Sequence, residues 1–92
     1  MIRLSGRLVC MTEEERAAVL AHRAAHTEAT RAEDGCLSFT IDDTDDPMVF
    51  DVMESFRDRA AFDAHQARTR GSAWFAATKG ILRDFRVEDL RD

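Results

Sequence analysis

Alternation of apolar and polar residues with a period of two is the feature that most constrains the fold of this 92-residue chain. This period is typical of half-buried β-strands, and it occurs in four segments. The segments are IRLSGRLVC (2–10), CLSFTID (36–42), MVFDVMESF (48–56) and ILRDFRV (81–87). In the second segment we expect Leu37, Phe39 and Ile41 to point inward. A chain of this length builds one hydrophobic core, so we predict a single domain over residues 1–92.

The first helix is predicted between the first two strands. Thr12 and Glu15 have the spacing of a capping box, which predicts a helix over 13–32 that stops before Gly35. Its side chains divide into two sectors, and the sequence does not decide which of them meets the sheet. One sector is rich in alanine, and the other contains Val19, Leu20, Thr27 and Thr30.

A second helix is predicted over 57–68, and a short third helix restarts after it with Ser72 as its N-cap. The main elements then run strand, helix, strand, strand, helix, strand. This order is typical of the ferredoxin-like βαββαβ arrangement, an α+β fold with an antiparallel sheet and helices on one face. In its usual strand order, the first strand lies between the third and the fourth.

Charge and composition exclude several classes of function. The net charge of -5 and the pI of about 5.1 argue against a nucleic-acid partner and against binding to an anionic membrane. No apolar run approaches the roughly 20 residues that span a bilayer, and no signal peptide is evident, so we expect a cytoplasmic protein. Cys10 and Cys36 lack CxxC spacing, and we expect both to be reduced. A glycine-rich phosphate loop for a nucleotide or flavin is absent, and no cofactor is predicted.

The first candidate for chemistry is a carboxylate within an apolar row. Glu54 shares a strand face with apolar residues, and Arg83 does the same in the last strand. Burial raises the pKa of a carboxyl group unless a cation or a hydrogen-bond donor keeps it ionised. Gly6, in the apolar row of the first strand, would leave room for both side chains. Glu54, Gly6 and Arg83 could thus form the polar floor of a pocket, or Glu54 and Arg83 a purely structural ion pair.

The second candidate is a histidine on the second helix. Phe62 and His65 are three residues apart and share a helical face, and Phe62 is expected to point into the core. His65 would then face the sheet, where Glu54 could accept its ring proton and fix its tautomer. Such a pair can act as a general base. The alternatives are a histidine at the core edge that is merely hydrogen-bonded and, for Trp74, a place in the core instead of the cavity wall.

The HRAAH stretch raises the question of a metal site. His22 and His26 lie one helical turn apart, a spacing that could hold a metal. Because no third ligand or HExxH pattern accompanies them, we predict no metal. His26 is instead placed among the residues of a substrate pocket, together with Gly6, Phe39 and Phe62.

Three stretches taken together resemble the antibiotic biosynthesis monooxygenase family, close to its quinol monooxygenase branch. They are TRAEDGCLSF (30–39), FDVMESF (50–56) and DRAAFDAHQ (58–66). The family typically has an acidic-glycine-cysteine turn into the second strand, a glutamate in the third strand and an Ala-His pair in the following helix. In this chain the matching residues are Glu33, Gly35, Cys36, Glu54, Ala64 and His65.

The resemblance implies a dimeric α+β barrel, in which two ferredoxin-like protomers pack their sheets face to face. It also implies oxygen chemistry without a metal or flavin. A small aromatic substrate, such as a quinol or an anthrone-like phenol, is deprotonated, and its anion reduces dioxygen directly. On this interpretation His65 is the general base beside Glu54 and Trp74, and Arg83 or a backbone amide stabilises the anion.

The chain departs from the family pattern because it contains no Tyr and no Asn. It therefore does not reproduce the anthrone-type sites that use those side chains, or the Asn–Trp–His set of the haem-degrading relatives. A non-catalytic protein that binds a small ligand or serves a stress response on the same dimeric fold is the alternative function.

The sheet face opposite the helices predicts a homodimer. It would carry apolar side chains that a lone protomer exposes, together with charges that can pair. The residues expected on this face are Arg7, Val9, Val49, Asp51, Met53, Leu82 and Asp84.

Overall fold

The computed structural model describes residues 1–91 and forms one four-stranded sheet with three helices. The elements are β1 (Ile2–Val9), α1 (Glu13–Arg31), β2 (Cys36–Asp43), β3 (Val49–Phe56), α2 (Arg59–Arg70), α3 (Ala73–Thr78) and β4 (Leu82–Asp89). All strand pairs are antiparallel, and the strand order is β2-β3-β1-β4. The predicted ferredoxin-like α+β fold is confirmed, with β1 between β3 and β4.

The hydrophobic core fills the space between the helices and one face of the sheet. Alternate residues of β1 and β3, except Gly6 and Glu54, contribute to it, as the alternation predicted. The buried apolar residues are Ile2, Leu4, Leu8, Cys10, Val19, Phe39, Ile41, Phe50, Val52, Phe56, Phe62, Trp74 and Ile81.

The orientation of α1, which the sequence left open, is settled by burial. Val19, His26 and Thr30 are the buried residues of this helix, whereas Leu20 is 41% exposed. The alanine-rich sector therefore faces away from the sheet. Alanine offers little surface to bury, so the sector with the larger branched side chains covers the core.

Local capping explains where the helices begin and how the chain leaves α1. The Asp58 side chain accepts a hydrogen bond from the Ala61 N–H, so α2 begins two residues later than predicted. Ser72 caps α3 by accepting from the Phe75 N–H, as predicted. Gly35, in the turn after α1, has a φ of 87°, a left-handed conformation that favours glycine.

A β-bulge at the start of β2 shows that the inward position predicted for Leu37 is wrong. Cys36 pairs with Phe56 and Ser38 pairs with Ser55, which leaves Leu37 as the extra residue. An extra residue reverses the alternation on one side of the bulge. Leu37 is consequently 59% exposed, while Phe39 further along the strand is buried.

Gly6 has a different role from the one predicted. A Cβ atom at this position would lie 2.0 Å from the backbone oxygen of Asp84 and 2.8 Å from the Cα atom of Phe85. Its φ of 154° is also one that other residues rarely adopt. Gly6 therefore allows β4 to approach β1 closely, and it does not leave room for the side chains of Glu54 and Arg83.

The sheet face opposite the helices is open. Met53 and Leu82 on this face are 44% and 57% exposed. Arg7 and Asp51, paired across β1 and β3, form an exposed salt bridge with an N–O distance of 3.7 Å. No helix within residues 1–91 is long and apolar enough to cross a membrane.

The two cysteines are both free in the structure, with Cys10 buried and Cys36 partly buried. They belong to the ends of β1 and β2, and β3 separates these strands. The prediction of two reduced cysteines agrees with this arrangement.

Candidate functional site

A cavity of about 280 Å³ lies between the sheet and the helices. Most of its wall is apolar and is formed by side chains from all four strands and by the aromatic residues of α3. A smaller set of polar side chains also reaches it, and this set includes most of the candidates that the sequence suggested. The polar lining residues are His26, Glu54, His65, Gln66, Thr69, Arg70 and Arg83.

Regular secondary structure places the two central polar groups at the cavity. On β3 the alternation puts Glu54 on the buried face between Val52 and Phe56, and only 5% of Glu54 is exposed. On α2, His65 follows the buried Phe62 by one turn and is 2% exposed. The prediction that His65 faces the sheet is confirmed.

The hydrogen-bond partner of His65 differs from the predicted one. Its Nδ1 atom lies 2.7 Å from Oε1 of Glu33, whereas Glu54 was the partner predicted from the sequence. Arg68 donates from Nε to the other oxygen of Glu33 at 2.6 Å and from Nη2 to Oγ1 of Thr30 at 3.0 Å. Because a carboxylate accepts at Nδ1, the neutral imidazole carries its proton there and leaves Nε2 as an acceptor.

The second ring nitrogen of His65, Nε2, faces Glu54. The distance from Nε2 to Oε1 of Glu54 is 3.6 Å, and Oγ1 of Thr69 lies 3.3 Å from the same nitrogen. Burial, and secondarily the charge of Glu33, raises the pKa of Glu54 to about 7. Burial also lowers the pKa of His65, although the Glu33 hydrogen bond opposes this shift. Burial thus shifts the pKa values of the two groups in opposite directions, upward for Glu54 and downward for His65.

The row Glu33–His65–Glu54 is therefore a carboxylate–imidazole–carboxylate arrangement with one end at the cavity. Glu33 fixes the ring and can stabilise a positive charge on it. A carboxyl group with a pKa of about 7 beside an imidazole can take a proton from a ligand and return it near neutral pH. This arrangement is suited to general acid–base chemistry.

Three packed aromatic side chains form part of the cavity wall. The imidazole of His26 is stacked on the indole of Trp74, with ring centroids 5.0 Å apart and an interplanar angle of 3°. Phe39 meets His26 edge-on at 5.3 Å. All three residues line the cavity, as predicted for the pocket.

Arg83 lines the cavity, but its predicted partnership with Glu54 is wrong. Its guanidinium donates to the backbone oxygens of Thr78 at 2.7 Å and Ile81 at 3.1 Å, and to Oγ1 of Thr78 at 2.9 Å. These bonds join the end of α3 to β4. Within residues 1–91, Arg83 forms no salt bridge with Glu54, so the structural ion pair is absent. Glu54 and Arg83 both line the cavity, but Gly6 of the predicted polar floor does not.

Two predicted pocket residues lie outside the cavity. Gly6 is beside the open face of the sheet, for the reason of strand packing given above. Phe62 is buried against Phe56, with ring centroids 5.8 Å apart, and fills the core next to the cavity. It lies one turn before His65 on α2, and this turn is covered by packed aromatic rings.

The salt bridge between Glu33 and Arg68, which holds Glu33 against His65, was not predicted. Glu33 was recognised only as part of the turn that resembles the family, without a role of its own. A place for Arg68 near His65 could have been predicted, because Arg68 follows His65 by three residues and so projects from the same face of α2. No group of three His, Cys, Asp or Glu residues suited to a metal occurs among residues 1–91, and His22 and His26 lack a third ligand there.

Comparison with known proteins identifies similar chains. The sequence profile of the family described as antibiotic biosynthesis monooxygenase matches residues 1–77. A crystal structure from Deinococcus radiodurans has a TM-score of 0.82 at 23% identity, covering 100% of this chain and 94% of that one. The protein Rv0793 from Mycobacterium tuberculosis has a TM-score of 0.75 at 26% identity, with coverages of 99% and 95%.

A third structure, from Nitrosomonas europaea, has a TM-score of 0.77 at 22% identity and covers 97% of each chain. The Deinococcus and Nitrosomonas proteins both carry antibiotic biosynthesis monooxygenase as a provisional name. No curated protein matches the sequence significantly. At these identities the two provisionally named structures support the fold.

Proposed function

The chain belongs to the antibiotic biosynthesis monooxygenase family, and from this premise we propose that it is a cofactor-independent monooxygenase acting on a small aromatic phenol. The observation that carries the proposal is the Glu33–His65–Glu54 row, which ends at a mainly apolar cavity. Such a site can remove a proton from a phenol while it keeps bulk water away.

The proton acceptor in this proposal is the pair formed by His65 and Glu54. A phenol is a weak acid, and its oxidation by dioxygen begins from the anion. Nε2 of His65 is the acceptor because Glu33 holds the proton on Nδ1, 2.7 Å away. Glu54 can share the proton with His65 because the two groups are 3.6 Å apart and burial raises the pKa of Glu54 to about 7.

The oxidation balances with dioxygen as the only oxidant. The phenolate donates electrons to dioxygen, and a ring carbon that carries hydrogen forms a bond to one oxygen atom. That carbon then loses its hydrogen as a proton while the O–O bond breaks, so a quinone carbonyl forms. The second oxygen atom leaves as water with the two hydrogens that the substrate lost. The residues of the chain deprotonate, orient and enclose the substrate, and dioxygen accepts the electrons.

The size of the cavity restricts the substrate. Ligand sites commonly have volumes of about 300–1,000 Å³, and this cavity of about 280 Å³ is slightly smaller than that range. Its stacked Trp74 and His26 favour a flat ring. Within the quinol- and anthrone-like class, we propose phenols of one or two rings, such as hydroquinones and naphthols.

Oxygen uptake by the purified protein tests the proposed reaction. A panel of hydroquinones, naphthols and anthrones is offered, and dioxygen consumption and quinone formation are followed together. We expect uptake with a one- or two-ring member and slower uptake with the larger anthrones. With ¹⁸O-labelled dioxygen, one labelled atom should appear in the product carbonyl and one in water. Binding of these phenols without oxygen uptake would instead favour the non-catalytic ligand-binding alternative.

We also propose a homodimer formed by the open faces of two sheets. Exposed Met53 and Leu82 on this face, with the Arg7–Asp51 pair, provide an apolar and charged surface suited to burial. Sedimentation equilibrium at micromolar concentration is expected to give twice the 10.4 kDa mass of the chain. Met53→Arg should shift the protein toward the monomer, and a wild-type monomer at this concentration would contradict the proposal.

A further inference from the structure

His26 is a buried polar group that the acid–base row does not use. It is 6% exposed and lies on the sector of α1 that covers the sheet. Trp74 stacks on one face of its ring and Phe39 meets it edge-on, so the imidazole is held in place. It also lines the cavity. A phenylalanine would fill this position with aromatic surface and no polar atoms, and the presence of a histidine therefore needs a reason.

The surroundings of His26 define which of its nitrogens carries the proton. Nδ1 has no hydrogen-bond partner within residues 1–91. A buried N–H without an acceptor is rarer in proteins than an unused acceptor, which favours the tautomer with the proton on Nε2. Burial, and then the neighbouring His65 and Arg68, lowers the pKa of His26 to about 4. The ring is therefore neutral at physiological pH, and Nε2–H at its tip is a hydrogen-bond donor.

Besides His26 and His65, four side chains that line the cavity carry donors: Gln66, Thr69, Arg70 and Arg83. Gln66 is only half-buried, whereas His26 is 6% exposed. Arg83, which was expected to take this role, directs its guanidinium to the backbone oxygens of Thr78 and Ile81. Oγ1 of Thr69 lies beside Nε2 of His65. Arg70 also lines the cavity, but it is exposed and lies toward solvent. Enclosed donors whose positions are fixed before the ligand arrives are the ones that best stabilise a developing anion.

We infer that His26 donates a hydrogen bond from Nε2 to the oxygen of a phenolate held in the cavity. This inference rests on the proposed function, because it takes the ligand to be a phenol that has lost its proton to the His65–Glu54 pair. A neutral imidazole is suited to the task, since it donates to the anion without supplying a second acidic proton to the site. The unsatisfied Nδ1 is then a cost in stability that the binding role offsets.

The test uses 4-nitrophenol, because its phenol and phenolate forms absorb at different wavelengths. His26→Phe keeps an aromatic ring beside Trp74 and removes the donor. His26→Gln places an amide N–H near the position of Nε2 and keeps the donor. His22→Phe, one turn earlier on α1 and outside the cavity lining, is the matched control. Binding and the absorbance of the bound form are measured on the full chain at pH 7.

We expect the wild-type chain to bind 4-nitrophenol mainly as the phenolate. The Phe variant should bind it about 10- to 100-fold more weakly, with a smaller phenolate fraction, because a hydrogen bond to a charged oxygen is lost. The Gln variant should stay close to the wild type, and His22→Phe should not change binding. Thermal unfolding of the Phe variant should occur at the same or a higher temperature, since a buried unsatisfied nitrogen is removed.

Three results would overturn the inference. One is a Phe variant that binds the phenolate as tightly as the wild type does. Another is a wild-type chain that binds only the neutral phenol, or none. The third is a Phe variant that fails to fold, because this would show that the imidazole of His26 is needed for the folded structure. Phenolate binding that depends on His26, in a protein without oxygen uptake, would support the inference and exclude the proposed oxidation.

Discussion

Replacing His65 by alanine is expected to lower the rate of phenol oxidation by about 10²–10⁴-fold, the usual contribution of a positioned general base. The structure gives two reasons. Nε2 of His65 is the acceptor that Glu33 prepares from the opposite side of the ring. Without the imidazole, Glu54 also loses the group 3.6 Å away with which it shares the proton. The rate of oxygen uptake at saturating substrate, measured per folded molecule, gives the size of this effect.

A structural role for His65 would produce a different set of results. Under either role the alanine variant should lose about 1–3 kcal/mol of stability, because the ring of His65 is buried and its centroid lies 4.8 Å from that of Phe56. The following results distinguish the two roles. Added imidazole should restore part of the rate, because the space left by the side chain opens to the cavity. His22→Ala should leave the rate unchanged. A rate loss that follows only the fraction of unfolded protein, without rescue by imidazole, would contradict a role as base.

Local patterns predicted the fold because it depends on short-range periodicity. Alternation in the chain marked the four strands, and capping side chains such as Thr12 and Ser72 marked helix starts. The order of these elements then left few ways to build one sheet. The error at Leu37 arose from the same rule, because a bulge changes the alternation without any signal in residue type.

Prediction of the site was less complete because it depends on contacts between distant parts of the chain. That Glu54 and His65 share the buried side follows from the periods of a strand and a helix. The choice of Glu33 over Glu54 as the partner of Nδ1 does not, since it is set by how the turn after α1 lies against α2. Gly6 was misread for a similar reason, because the close approach of β4 to β1 is a property of strand packing.

The raised pKa of Glu54 leads to the second large prediction, which concerns the dependence of stability on pH. Its ordinary value of 4.5 rises to about 7 in the folded chain, mainly through burial. Between these values the folded state binds more protons than the unfolded state, so the free energy of unfolding falls as the pH rises. The total loss attributable to this group is about 3 kcal/mol, complete above the folded pKa. Glu54→Gln cannot ionise and should therefore escape that loss.

We expect Glu54→Gln to match the wild type in stability near pH 4.5, and to exceed it by about 3 kcal/mol at pH 8. Urea unfolding of both proteins between pH 4.5 and 8 measures the difference, from which the other titrating groups largely cancel. Glu88→Gln is the matched control, because Glu88 is a half-buried carboxylate of β4 whose salt bridge to Arg3 spans 3.2 Å. Glu88→Gln should therefore not raise the free energy of unfolding at pH 8. A Glu54→Gln variant that is less stable than the wild type at pH 8 would contradict this prediction. It would show that the ionised carboxylate of Glu54 stabilises the folded chain. Burial would then not raise the pKa of Glu54, and its proposed role as a proton acceptor near neutral pH would be wrong.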